Sequence, residues 1–168
     1  MENVVHNIMF EMVEYFGTDV KRINHALKVY GFALNIAQRE HVPDDQYFTL
    51  AVASVLHDIG IKESERKYHS SAGRYQEIEG PPIVREFLKK YDLEAQWVER
   101  VCFLVGNHHT YNNIDGIDFQ ILVEADFLVN IFEDDMNEEQ IQSIKEKYFK
   151  TKTGMDYLRS MYGVNNGD

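Results

Sequence analysis

His57 and Asp58 leave the apolar run Ala53-Ser54-Val55-Leu56 side by side, an imidazole next to a carboxylate. Together they offer one nitrogen and up to two oxygens to a divalent metal of hard or borderline character. The doublet alone is weak evidence, because a helix end is an ordinary place for both residues. The positions of the other histidines raise it. Of the seven (His6, His25, His41, His57, His69, His108 and His109), His25 lies within an amphipathic helical pattern, His69 opens another, and His108-His109 closes a third. Asp126 interrupts the apolar stretch Ile121 to Asn130, where its neighbours one turn away include Leu122, Val123 and Val129. An unpaired carboxylate desolvated there costs several kcal/mol, so it calls for a cation. The plain alternatives are an ion pair for Asp126 and a hydrogen-bonded core residue for His25.

Taken in chain order, this series of His, His-Asp, His, His-His and Asp resembles the HD-domain superfamily of metal-dependent phosphohydrolases. The resemblance runs from about Arg22 to Asp126. It implies an all-α fold, a compact bundle of many helices. It also implies a first metal site made by His25, His57, Asp58 and Asp126, and a second in which Asp58 bridges to His69 and His108. The segment His69-Ser70-Ser71-Ala72-Gly73 is similar to the H-x-x-x-G stretch of small HD proteins. His108 is assigned as ligand in preference to His109, because adjacent helical positions point about 100° apart. His109 is left to orient a ligand, touch substrate or face solvent.

Several HD proteins carry an arginine three residues before the first histidine, which makes Arg22 a candidate phosphate contact with a suitable fork geometry. An ion pair with Asp19 is the competing reading. Lys62, Arg66, Lys67 and Arg74 are further cations near the doublet. Lys62 follows it closely and is the one placed with Asp58 in catalysis and substrate binding; Arg74 is a weaker substrate contact. Glu63, Glu77 and Tyr111 could reach the mouth, but no feature of the sequence forces it.

Four imidazoles with two carboxylates suit iron, manganese or zinc better than magnesium or calcium, with magnesium left open. Two ions can generate hydroxide near neutral pH and clamp a phosphate oxygen. The expected activity is therefore hydrolysis of a phosphoester in a small phosphorylated molecule, a nucleotide first among them. Two rivals use the same residues, a di-iron oxygenase and a non-catalytic module that binds a nucleotide or metal. No GxSxG elbow, Gly-rich phosphate loop or HExxH motif is present.

The chain has 168 residues, 17 basic and 28 acidic, for a formal charge of −11. Such a surface repels polyanions, so neither a nucleic acid polymer nor an anionic membrane is an expected partner. An anionic substrate meets the same field, which bound cations reverse locally. No run reaches about 18 apolar residues, and Met1 to His6 has neither a basic nor a long apolar signal region, so a cytoplasmic protein is expected. Cys102 stands alone among Val101, Phe103 and Leu104, which excludes an intramolecular disulfide and a thiolate cluster. Homo-oligomers remain compatible with all of this.

The elements that must position the ligands are helical, since no segment alternates as a strand does. A single domain over residues 1–168 is expected, with its motif core at about 22–126. Helices are predicted over Val4–Phe16, from Asp19 to about Glu40, and over Gln46–Asp58, the last nearly apolar and therefore central. Ile59–Tyr68 reads as a polar loop. Ser70–Glu79 reads as a short helix ended by Gly80-Pro81-Pro82, followed by helices over Ile83–Tyr91 and Leu93–His108. Phe119–Phe132 carries Asp126. Two amphipathic helices over 137–163 pack on this core, and a frayed tail covers 165–168.

Overall fold

The computed structural model describes residues 2–164; the tail at 165–168 lies outside them. Among the described residues there are nine α-helices and no strand. They are α1 (Glu2–Phe16), α2 (Val20–Arg39), α3 (Asp44–Leu56), α4 (Ile61–Tyr68), α5 (Gly73–Leu88), α6 (Ala95–Val105), α7 (Ile117–Glu133), α8 (Glu138–Tyr148) and α9 (Lys152–Tyr162), with a 3₁₀ turn at Tyr111–Asn113.

Nine consecutive residues of α3, from Phe48 to Leu56, are buried. A helix apolar on every face must be surrounded, and α1, α2, α6 and α7 all pack against α3. Helices α2 and α7 also lie against each other. The residues after α3, the second turn of α2 and the middle of α7 meet at one place, where His57, Asp58, His25 and Asp126 approach one another. Helices α8 and α9 pack on the far side of α7. There the buried carboxylate of Glu124 accepts from the backbone N–H of Lys150 (2.6 Å) and Thr151 (2.8 Å) and ties the two together.

Three expectations about elements need correction. Residues Ile61–Tyr68 form a helix and not a loop. Only Ser64 is buried there, so no apolar stripe announces the helix; Glu63 instead pairs with Arg66 (2.5 Å) and Lys67 (3.4 Å) along its exposed face. Second, α5 runs unbroken through Pro81 and Pro82. Their rings remove two helical hydrogen bonds, but α6 covers the gap closely. A Cβ added to Gly80 would stand 2.6 Å from Val105 Cγ1, and one added to Gly106 would stand 2.9 Å from Pro81 Cγ. Tertiary packing thus offsets what proline costs the helix interior. Third, α6 stops at Val105, so His108 and His109 occupy a turn beyond it.

Candidate metal centre

His57 follows the last residue of α3 and is completely buried. Its Nδ1 lies 2.9 Å from the carbonyl oxygen of Ser54. A carbonyl can only accept, so Nδ1 carries the proton and Nε2 presents its lone pair inward. His108 is arranged the same way, with Nδ1 donating to the Val105 carbonyl at 2.8 Å. His25, buried on α2, donates from Nδ1 to the Glu133 carboxylate at 3.0 Å. Three imidazoles from three elements thus turn Nε2 toward Asp58, His25 and His57 on one oxygen and His108 on the other. Each is fixed by a partner on its other nitrogen, the pattern that orients metal-ligating histidines.

The acceptors gathered there face one another. His25 Nε2 is 3.1 Å from His57 Nε2 and 3.1 Å from Asp126 Oδ1. Asp58 divides its oxygens: Oδ2 lies 3.6 Å from both His25 Nε2 and His57 Nε2, while Oδ1 lies 3.4 Å from His108 Nε2. Asn130 donates to Asp126 Oδ1 at 2.9 Å and holds that carboxylate in place. Lone pairs at these distances repel unless positive charge lies between them. The donor set of imidazole nitrogen and carboxylate oxygen fits a divalent cation of the borderline class.

The electrostatics carry the same signature. Burial opposes charge on His25, but Asp126, Asp58 and Glu133 outweigh it and raise its pKa to about 9. His57, wholly enclosed, is pushed down by burial. Burial also penalises Asp58, yet the surrounding imidazoles hold its carboxyl well below the usual range.

Among the described residues, two trios have ligand atoms that all lie within 4.8 Å of one another: His25, His57 and Asp58, and Asp58, His108 and His109. Asp58 belongs to both. His109 stands where the second site was expected to take His69. Its ring centroid is 4.0 Å from that of His108, and burial, then His108, pushes its pKa down to about 4, leaving it neutral. The assumption that adjacent histidines diverge by a helical step does not apply, because the helix has already ended. Gly73 makes the room: a Cβ there would sit 2.5 Å from His109 Cδ2.

His69 is the correction that matches this. It ends α4 in the left-handed conformation (φ 53°) and is exposed, outside both trios. Lys62 is also turned away. Its ammonium donates to the Tyr15 carbonyl at 2.7 Å and lies over the Tyr15 ring, so it has no place beside Asp58. Arg74 lies over the Tyr75 ring, 4.5 Å from its centroid, and is exposed. Neither lines the cavity above the cluster. Arg22 does line it, held by Asp19 at 2.8 Å and Glu65 at 2.5 Å, so the ion pair and the mouth position coexist. The cavity measures about 390 Å³, with Arg22, His25, Asp58, Gln76, His109 and Asp126 in its walls.

Glu133, Asn130 and Gln76 were not anticipated. For the first two a signal existed: Asp126, Asn130 and Glu133 are spaced i, i+4, i+7 and share one face of α7. Gln76 had none, since nothing in the sequence brings the helix predicted over Ser70–Glu79 against the doublet.

A family model described as HD domain matches residues 22–150. A solved structure described as a predicted HD superfamily hydrolase, from an uncultured Thermotogales bacterium, superposes with a TM-score of 0.66 at 21% identity. The match covers 97% of this chain and 85% of that one, and it shows a shared fold. No curated protein matches. The family match spans most of the sequence and contains His25, His57, Asp58, His108 and Asp126: the chain belongs to the HD-domain family, whose members are metal-dependent hydrolases.

Proposed function

We propose that this protein is a phosphohydrolase that cleaves a phosphoester of a small phosphorylated molecule, with nucleotides as the leading class. The observation that carries the reading is Asp58, whose two oxygens face separate imidazole groups. A carboxylate so shared is the natural bridge between two cations. His25, His57, Asp58 and Asp126 would hold one ion, and Asp58, His108 and His109 the second, with iron, manganese or zinc best suited to the donors. Bound there, such ions would supply activation of water at neutral pH and charge stabilisation for the phosphoryl group.

The chain's own contribution is orientation and charge. Ser54, Val105 and Glu133 fix the three rings, so little reorganisation accompanies binding. Arg22 brings a guanidinium to the cavity, where an incoming phosphate competes with Asp19 and Glu65 for its fork. The acidic mouth, including Asp19 and Asp134, favours substrate only after cations offset its charge.

The test is elemental analysis of the purified protein together with a panel of nucleotides and simple phosphoesters, with Mn, Fe and Mg added separately. Metal-dependent phosphate release supports the proposal. Iron with substrate-dependent O₂ uptake and no phosphate release overturns it in favour of an oxygenase.

A further inference from the structure

The carbonyl oxygen of Val105 marks where α6 ends. In a continuing helix it would accept the N–H of His109, four residues on. It accepts from His108 Nδ1 instead, at 2.8 Å. The His109 N–H crosses to α5 and donates to Glu77 Oε1 at 3.0 Å. The Thr110 hydroxyl follows it, lying 2.9 Å from Oε1 and 3.1 Å from Oε2 of the same carboxylate. Glu77 is thus engaged by two consecutive residues of the turn after α6, and it does not itself line the cavity.

This fastening matters because of what His109 lacks. His25, His57 and His108 are each oriented by an acceptor on Nδ1. Among the described residues the His109 ring makes no hydrogen bond, and its Nε2 is buried without a partner. Its place beside Asp58 and His108 is therefore set by its backbone and by α5. Glu77 lies one turn beyond Gly73, the residue that makes room for the ring, so one face of α5 both admits the imidazole and holds the main chain that carries it. A Cβ on Gly106 would stand 3.5 Å from the Glu77 carbonyl oxygen, so the turn lies along that face. A backbone N–H deprived of this acceptor recovers a partner only if the turn moves.

We infer that Glu77 is a positioning residue for the second ion. By accepting from His109 and Thr110 it holds the His109 imidazole beside Asp58 and His108, whereas the ion held by His25, His57, Asp58 and Asp126 does not depend on it. This rests on the two-ion reading of the site and adds the residue that sets its second position. Because the role is one of reach and acceptor geometry, the length of the side chain should matter more than its charge.

The experiment titrates manganese into chelator-stripped wild type, Glu77→Gln, Glu77→Asp and Glu79→Ala, each checked by circular dichroism and melting temperature. Chelator competition gives the affinity of each ion, and electron paramagnetic resonance separates a coupled manganese pair from a lone ion. Glu77→Gln keeps an acceptor oxygen at full reach and should bind both ions. Glu77→Asp keeps the charge but is one methylene shorter; it should keep the first ion and bind the second about 10- to 100-fold more weakly, the usual effect of losing a partner behind a ligand. Glu79→Ala removes the α5 carboxylate that holds Lys67 (2.6 Å) and Tyr68 (2.9 Å) of α4, and should leave both ions in place. Glu77→Asp that binds both ions as tightly as wild type overturns the inference, as does a folded Glu77→Gln that loses the second ion. Equal loss from Glu79→Ala assigns the effect to the general stability of α5 and overturns it too. A wild type that holds one ion yet releases phosphate overturns the inference and leaves the phosphohydrolase reading standing. A wild type that binds two ions and releases phosphate from no ester overturns that reading alone.

Discussion

His25 Nε2 and His57 Nε2 stand 3.1 Å apart in the interior, each on a ring whose Nδ1 is already donating to a fixed acceptor. Two lone pairs cannot face each other at that distance without positive charge between them. In metal-free protein a proton on His25 supplies it; in the loaded protein a divalent cation does.

The exchange of proton for cation gives a pH dependence of known sign. His25 has its pKa raised from 6.5 to about 9, because Asp126, Asp58 and Glu133 overcome the cost of burial. The metal-free fold therefore holds this proton more tightly than the unfolded chain does. Its stabilisation is complete below about pH 6.5 and is lost as pH rises through about 9, an effect on the order of 3 kcal/mol. Burial lowers His108 too, but the Asp58 carboxylate overcomes it and the shift has the same sign. Melting temperature of chelator-treated protein should fall between pH 6.5 and 9.5, while manganese-loaded protein should show no such decline. A chelated protein that gains stability over this range would contradict the argument.

Glu133 should matter to metal affinity although it is not in either ligand trio. Glu133→Ala removes the acceptor that orients His25, and loss of such a partner typically weakens metal binding by 10- to 100-fold. Lys28, which pairs with the other Glu133 oxygen at 2.6 Å, is half exposed and should contribute less. Competition titration against a chromogenic chelator measures both. An unchanged affinity in Glu133→Ala would show that His25 is held without it.

His69 and His109 should separate cleanly. His69→Gly removes an exposed residue from a left-handed position that glycine adopts freely, so metal content and turnover should hold while stability rises by about 0.5 kcal/mol. His109→Ala should lose one of two bound ions. Metal lost from His69→Gly would restore the ligand set expected from sequence.

Gly73→Ala should act on His109 indirectly. The new methyl meets the imidazole at 2.5 Å and forces the ring or α5 to move, at a cost of about 1–3 kcal/mol. Chemical denaturation and metal counting on the same preparation check it. Wild-type stability with a full metal complement would mean the ring has room the geometry does not show.

His25, His57, Asp58, His108 and Asp126 were legible because each is a polar residue set into an apolar helical pattern, and the structure brings all five together. The rest depended on chain reversals that periodicity does not encode. His69 follows the doublet at a plausible spacing, but that spacing is taken up by α4, a helix held by charge pairs and without an apolar stripe. His109 was set aside on helical geometry that ends at Val105, four residues too soon to apply. Pro81 and Pro82 read as a break, and only the packing of Gly106 and Val105 shows why α5 continues beyond them. Lys62 and Arg74 illustrate the converse, since proximity in sequence left each free to lie over a neighbouring tyrosine ring.

The central claim, that the facing imidazoles and Asp58 form a catalytic metal centre, is tested most directly by metal counting and phosphate release on wild type and Asp58→Ala. Wild type should bind up to two divalent ions and release phosphate from a small phosphoester, and Asp58→Ala, folded by its circular dichroism, should do neither. Full phosphate release from a metal-stripped wild type, or from Asp58→Ala, would contradict the account.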